Sequence, residues 1–192
     1  MPYAFVANAT VCTKHKQDPV VNFSSPEWRK TIQSTDLKGS AHGQVFANLS
    51  EKHMLSMEIV PVVGGACVVL LGVDSSFGFT EFIVQMDKKY KIKTCEYDVI
   101  MNHEDQHILA NLSVMDDLAG DMKNAIQVAT KSIIPIFIKD GDIDRAAHQI
   151  ERTIQTHPMV VLAKQKIAAE QELRNRQIDR RDDSAALRNC KK

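Results

Sequence analysis

The stretch Asn102-His103-Glu104-Asp105-Gln106-His107-Ile108 decides how the rest of the chain is interpreted, because it has the spacing H-E-x-x-H. Residues four apart lie on one face of an α-helix, so His103 and His107 can direct two imidazoles at one point. Zinc takes imidazole nitrogens at about 2.0–2.1 Å, and such a pair supplies two of its ligands. The motif therefore predicts a zinc site in which Glu104 is the general base for metal-bound water.

The residues around the motif have the periodicity of one long helix over about 96–131. His103 and His107 lie beside its apolar stripe, at the edge of the expected core, where a cleft can form. The alternative is a helix with two partly exposed histidines and no metal. The stripe consists of Met101, Ile108, Leu112, Met115, Ala119, Met122, Ile126, Ala129 and Ile133.

The first half of the chain has the alternation and turn residues of a β-rich region. Residues 19–23 are expected to form an edge strand, and the Ser-Pro-Glu start at Ser25 predicts a short helix over about 25–33. An antiparallel sheet of about four strands is expected from the segments that follow. These segments are 44–50, 53–63, 66–73 and 79–86.

We therefore predict an α+β, zincin-like fold in one domain of 192 residues. The mainly β portion covers 1–93, a helical hairpin with the metal motif covers 94–180, and a charged, irregular tail covers 181–192. The second helix of the hairpin is expected at about 143–180, with a kink at Pro158. The strand at 79–85 is the candidate edge strand that holds extended substrate by main-chain pairing, as in zincin-type peptidases. The alternative is an ordinary strand covered by the helix.

A third zinc ligand has to come from outside the first helix. Its later acidic residues, from Asp116 onward, lie roughly 20 Å along the axis from His103. If the two long helices are antiparallel and turn near 135–139, the residues opposite the motif fall near 169. Glu170 is therefore the predicted third ligand, with Glu172 as its neighbour.

Other positions for the third ligand are weaker. Glu170 could instead be a solvated residue on the helix surface. His42, in the loop at 38–43, is the alternative ligand from the β portion. His148 and His157 lie nearer the expected turn and should be too far from the motif.

The charge balance limits the partners. Lys and Arg together number 24, as do Asp and Glu, so the chain has no overall basic field for nucleic acid or an anionic membrane. The longest apolar run, 59–73, is interrupted by Pro61, Gly64 and Gly65 and is too short to span a bilayer. We expect a soluble protein without a nucleic-acid partner or a transmembrane segment.

The four cysteines indicate an oxidising compartment. No Cys-x-x-Cys pair occurs, so two disulfides are expected, and the positions in the chain favour Cys67–Cys95 and Cys12–Cys190. The alternative is four reduced, buried thiols in a cytosolic protein. The run before Ala9 is too short for a leader, so we expect that a signal peptide is absent from this sequence.

The segment Thr94-Cys95-Glu96-Tyr97-Asp98-Val99-Ile100-Met101-Asn102-His103-Glu104-Asp105-Gln106-His107 resembles a bacterial family of small secreted or periplasmic proteins that are predicted to be zinc-dependent proteases. The Gly-Ala-Cys67 stretch and the late Arg176-Gln177-Ile178-Asp179, followed by Cys190, also resemble that family. The resemblance implies that His103 and His107 are zinc ligands, that Glu104 is the base, and that the protein is exported and disulfide-bonded. No glycine-containing Met-turn motif follows His107, which excludes a metzincin.

The expected function is a zinc-dependent metallopeptidase of the bacterial cell envelope that acts on a protein or peptide substrate. One rival is a non-catalytic zincin-like module that binds an envelope protein. A second rival is a zinc hydrolase acting on another amide, such as peptidoglycan.

Overall fold

The computed structural model describes residues 11–38, 42–139, 141–180 and 184–190. The chain divides into two compact units, each assembled from three segments. Unit 1 comprises Met1–Ser24, Glu51–Ser76 and Ala119–Gln165, and unit 2 comprises Ser25–Ser50, Phe77–Leu118 and Lys166–Lys192. The predicted single-domain organisation stays a prediction. The elements in chain order are β1 (Val20–Ser24), β2 (Arg29–Thr35), β3 (Gly43–Val62), β4 (Gly65–Asp87), α1 (Cys95–Ser132), β5 (Ile136–Ile138), α2 (Ile143–Thr156), α3 (Pro158–Asp179) and α4 (Ser184–Asn189).

The long strand β4 is the central strand of a five-stranded sheet. Strands β1 and β2 both pair with it in parallel, β5 pairs with it antiparallel, and β3 pairs with it as well. The prediction of an antiparallel sheet is therefore wrong, although the fold is α+β. The error arose because strands were joined to their sequence neighbours, whereas Arg29 of β2 meets Glu81, 52 residues later.

In unit 1 the core forms around the first part of β4. The segments expected as separate strands, 66–73 and 79–86, belong to one continuous strand. Between them, Asp74 accepts a hydrogen bond from Asn22 Nδ2 at 2.7 Å, and Ser75 Oγ lies 2.9 Å from His53 Nδ1. These polar residues thus have partners within the strand pairing, so the strand continues through them. The core residues of this unit include Val21, Val68, Val69, Leu70, Val73, Met122, Ile126, Ile150, Ile154 and Val160.

In unit 2 the segment expected as a helix at 25–33 is mostly strand β2, so that prediction is wrong. The β-branched residues Thr31 and Ile32 lie in its ladder with β4, and pairing with a buried central strand outweighs the local helix-start signal. Trp28 packs edge-on against Phe82 at 5.5 Å between ring centroids. The core of the unit includes Phe79, Phe82, Val84, Met86, Ile100, Ile108, Val114, Met115, Ile167 and Ile178.

The helix predicted around the motif is confirmed as α1. Thr94 caps it, because its Oγ1 accepts a hydrogen bond from the Tyr97 N–H at 3.3 Å, and Glu96 and Asp98 lie in the first turn, where negative charge is favourable. The predicted stripe is largely buried, with Ile108 and Met122 at most 2% exposed. Among the residues that the structure describes, no helix is both long and apolar enough to cross a bilayer.

The second helical segment is two helices instead of the one kinked helix predicted. The backbone of His157 is extended, with ψ 134°, because the residue before a proline avoids the helical region. Pro158 then occupies the first turn of α3, where its missing N–H is not needed. Asp142 caps α2 by accepting a hydrogen bond from the Arg145 N–H at 3.0 Å.

Two disulfides are present, as expected, but the predicted pairing is wrong. The bonds are Cys12–Cys67 and Cys95–Cys190, and each lies within one unit. Cys67 lies on β4 and Cys95 begins α1, and nothing in their spacing along the chain identified their partners. The tail is more regular than predicted, since α4 forms within it and Cys190 attaches it to the start of α1.

Candidate metal centre

Three side chains of unit 2 converge to form what we call the donor group: His103, His107 and Asp179. The two Nε2 atoms lie 3.1 Å apart. Asp179 Oδ1 lies 3.1 Å from His107 Nε2 and 3.7 Å from His103 Nε2. The histidines stand one turn apart on α1, and the aspartate is the last residue of α3.

The spacing of these donor atoms fits a divalent metal ion. Zinc ligands at about 2.0–2.1 Å in tetrahedral geometry are separated from one another by roughly 3.3 Å. The three separations in the donor group, 3.1, 3.1 and 3.7 Å, bracket that value. Two imidazoles and one carboxylate also form a ligand set that zinc accepts.

The centre opens into a cavity of about 280 Å³. Three protein ligands beside an open cavity are typical of catalytic zinc sites, whereas structural sites are closed by four protein ligands. The wall that β3 contributes includes Gly43, Gln44 and Val45. The remaining lining residues are His103, Glu104, His107, Asn111, Asn175 and Asp179.

Glu104 also faces this cavity but is not a member of the donor group. Its side chain is nearly buried, with 4% of the residue exposed. The backbone of Gly43 approaches it closely: a Cβ added at Gly43 would lie 2.6 Å from Glu104 Oε1. A carboxylate beside the donor atoms, in a site of low exposure, can accept and release a proton.

Two asparagines lie behind His107. The Nδ1 atom of His107 is 2.9 Å from Asn175 Oδ1. Asn175 Nδ2 donates to Asn111 Oδ1 at 3.3 Å, and Asn111 is 7% exposed. The nitrogen of His107 that does not face the donor group therefore has a defined partner.

Glu170, the predicted third ligand, is not part of the donor group. It accepts a hydrogen bond from Arg174 Nε at 2.9 Å, and Arg174 also contacts Asp117 at 2.8 Å. Hydrogen bonds to Asp117 and then to Glu170 raise the pKa of the Arg174 guanidinium. Glu170 thus belongs to an ion-pair network between α1 and α3.

Glu170 lies outside the donor group because the turn between the helices falls later in the chain than expected. Residues expected to turn, 135–139, include strand β5, and helix resumes only at Ile143. In an antiparallel pair of helices, a shift of the turn by one residue changes the partner of a given residue by two positions. His103 therefore lies opposite Asp179 instead of a residue near 169. The late Arg-Gln-Ile-Asp179 stretch is the sequence feature that could have pointed to Asp179 as a candidate third donor.

The other histidines considered are outside the donor group. His42 Nδ1 lies 2.8 Å from the Tyr90 hydroxyl. His148 is highly exposed and 3.9 Å from Glu151, and His157 Nδ1 accepts from the Met159 N–H at 3.3 Å. The strand expected to hold substrate, 79–85, lies inside β4, which pairs with β2 from Glu81 onward, and the cavity is lined instead by the start of β3.

Comparisons of the chain with protein-family models, with curated proteins and with solved structures found no match. The resemblance to a bacterial family of small secreted H-E-x-x-H proteins stays a prediction.

Proposed function

We propose that this protein is a zinc-dependent hydrolase of the bacterial cell envelope, and specifically a peptidase. The single observation that carries the proposal is the convergence of His103, His107 and Asp179 at zinc-ligand spacing beside an open cavity that also contains Glu104. Zinc held there would polarise a carbonyl and make water acidic enough to react near neutral pH.

We assign Glu104 the role of general base. It follows the ligand His103 directly, so the helix sends its carboxylate into the same cavity without placing it among the donor atoms. In the proposed reaction this carboxylate takes a proton from the attacking water and then gives it to the departing amine nitrogen, as the C–N bond breaks and a C–O bond forms. Its low exposure keeps competing water away from this transfer.

Two histidines and one carboxylate also bind non-haem iron(II), so the choice of zinc needs its own support. That support is Glu104: hydrolysis uses a base that is not a ligand, and the cavity supplies one. The location in the envelope is supported by the two disulfides, which persist in oxidising compartments, and by the family resemblance.

The proposal is tested by metal analysis and peptide cleavage on the same samples. We expect elemental analysis of the purified full chain to give about one zinc per molecule and little iron. The His107→Ala variant should lose the metal. His148→Ala, which removes an exposed histidine from unit 1, is the matched control and should keep it.

Glu104→Gln separates catalysis from metal binding, because the amide keeps the shape of the side chain but cannot accept the proton. We expect full zinc content and a loss of about 10²–10⁴-fold in cleavage of a fluorescence-quenched peptide mixture. A wild type that takes up no zinc would disprove the metal site. Zinc binding without any Glu104-dependent cleavage of peptides would support the rival, a non-catalytic envelope-binding module.

A further inference from the structure

We propose that Asn175 is a positioning residue for the metal centre, and that Asn111 in turn holds Asn175. Asn175 would fix His107 in the tautomer that presents an unprotonated Nε2 to the metal. This inference rests on the proposed metal site and extends it, since neither asparagine is a member of the donor group.

The chain of contacts runs from the interior of unit 2 to the donor group. Asn111 is buried, and its Oδ1 accepts from Asn175 Nδ2 at 3.3 Å. Asn175 Oδ1 lies 2.9 Å from His107 Nδ1, and His107 Nε2 faces Asp179 Oδ1 at 3.1 Å. Asn111 and His107 stand one turn apart on α1, so Asn175 reaches both from α3.

The chemistry of the amide fixes the direction of these hydrogen bonds. An amide has one accepting oxygen and one donating NH₂ group. Because the Asn175 NH₂ is used by Asn111, its oxygen faces His107 and can only accept. The hydrogen of the neutral imidazole is then on Nδ1, which leaves the lone pair of Nε2 directed at the donor group.

This arrangement matters because a metal binds only the unprotonated nitrogen. An imidazole without the Asn175 acceptor would populate both tautomers, and one of them places an N–H where the metal should bind. The ring would also lose the contact that sets its orientation. Loss of such a partner behind a metal-binding histidine typically weakens metal binding by 10–100-fold.

Three variants and one control isolate the role of the acceptor. Asn175→Leu removes the hydrogen-bond acceptor but keeps a side chain of similar size, whereas Asn175→Asp keeps the acceptor. Asn111→Leu removes the partner of the Asn175 amide, so that this amide can rotate and exchange the positions of its oxygen and NH₂, while the sequence at His107 is unchanged. Gln171→Leu is the control, one turn earlier on α3, where the amide lies 3.9 Å from Met115 Sδ.

Zinc affinity is measured by competition with a chromophoric chelator. We expect Asn175→Leu to bind zinc about 10–100-fold more weakly and Asn111→Leu to fall in between, whereas Asn175→Asp and Gln171→Leu should stay within a few-fold of the wild type. A purely structural role for Asn175 predicts instead that Asn175→Asp fails like Asn175→Leu. That result, or equal affinity for Asn175→Leu and the wild type, would overturn the inference.

A second readout needs neither metal nor activity. In the zinc-free protein with ¹⁵N-labelled histidine, NMR correlations within the ring show which nitrogen carries the hydrogen. In both proteins Asp179 Oδ1, 3.1 Å from His107 Nε2, favours a hydrogen on Nε2 when zinc is absent. We therefore expect a larger fraction of the Nδ1–H tautomer at His107 in the wild type than in Asn175→Leu. Equal tautomer fractions in the two proteins would contradict the inference. If the wild type takes up no zinc but its tautomer still depends on Asn175, the proposed function fails and the positioning of His107 stands.

Discussion

The two units each contain a histidine next to a carboxylate, but the two clusters differ in kind. In unit 2 the donor group brings three atoms that could bind a metal to one point beside a cavity. In unit 1, His53 has a fully buried side chain, with Nδ1 2.9 Å from Ser75 Oγ and Nε2 3.1 Å from Glu51 Oε1. We call the second set, with Lys164 paired to Glu51, the Glu51 cluster.

The difference shows how a candidate metal-ligand histidine can be distinguished from a structural one. Both nitrogens of His53 have hydrogen-bond partners, and Lys164 balances the charge of Glu51, so the Glu51 cluster is complete without a ligand. In the donor group, two imidazole nitrogens and a carboxylate oxygen face one another, and all three are acceptors when the imidazoles are unprotonated at Nε2. A cation at their centre satisfies all of them at once.

The strongest test of this difference is to replace one histidine in each cluster. His107→Ala should weaken zinc binding by on the order of 100-fold or more, since each ligand of a zinc site contributes about 3 kcal/mol. The same change should alter the free energy of unfolding of the zinc-free protein by only about 1 kcal/mol. The measurements are chelator competition and chemical unfolding.

His53→Ala should give the opposite pattern. It leaves Glu51 and Ser75 without their buried partner, so the free energy of unfolding should fall by about 2–3 kcal/mol. Zinc affinity should not change. If His53→Ala lowered zinc affinity as much as His107→Ala does, the distinction between the two clusters would be wrong.

The two disulfides offer a second test, because each lies in one unit. Replacing either pair with alanine should lower the free energy of unfolding by about 2–5 kcal/mol. Only the Cys95–Cys190 pair should also affect zinc, since Cys95 begins the helix that carries both histidines and Cys190 follows the helix that ends at Asp179.

Chelator competition on both double variants checks this expectation, and removal of Cys12–Cys67 serves as the internal control. We expect a several-fold loss of zinc affinity for the Cys95–Cys190 variant and none for the control. Equal losses of zinc affinity in both variants would show that the effect comes from general destabilisation and not from the positioning of the donor group by the Cys95–Cys190 bond.

Helix α1 and the start of α2 could be predicted from the sequence because their signals are local, whereas the helix expected at 25–33 and the single helix expected at 143–180 were wrong. The apolar stripe of α1 and the cap-forming residue Asp142 each lie within a few residues of what they determine. The sheet could not be predicted in the same way. The pairing of β1 and β2 with β4 joins residues 52 positions apart. The sequence around Thr31 and Ile32 does not indicate that β4 is their partner strand.

The same contrast applies to the site. His103, Glu104 and His107 lie within one motif, so the structure brings together what the spacing predicted. The third donor depends on the register between α1 and α3, which the short strand β5 changes, and Asp179 replaces Glu170 in consequence. Long-range register is set by packing of the whole chain, and no spacing rule supplies it.

A further difference between the clusters is that Gly43 lies close to the Glu104 carboxylate beside the donor group. Gly43→Ala would place its Cβ 2.6 Å from Glu104 Oε1 and 2.9 Å from Ile100 Cγ2, so the Glu104 carboxylate must move. We expect zinc content to be unchanged and peptide cleavage to fall by about 10–100-fold, as for a catalytic group displaced by about 1 Å. Gly120→Ala, with open space around the new Cβ, is the control and should slightly stabilise α1. Unchanged cleavage by Gly43→Ala would contradict the role given to Glu104.

The smallest expected effect concerns acid stability and belongs to the Glu51 cluster. Burial raises the pKa of Glu51, but hydrogen bonds and charge from His53 and Lys164 together outweigh it, so the pKa lies below its ordinary value of 4.5. Because the folded pKa is lowered, ionised Glu51 stabilises the fold above the unfolded pKa, and this contribution is lost as the pH falls through the folded pKa.

Glu51→Gln should therefore destabilise the protein at pH 6–7 and differ less and less from the wild type below about pH 4.5, as measured by urea unfolding. If Glu51→Gln destabilised the zinc-free protein equally at every pH, the loss would come from packing, and the charge balance assigned to the Glu51 cluster would be incorrect.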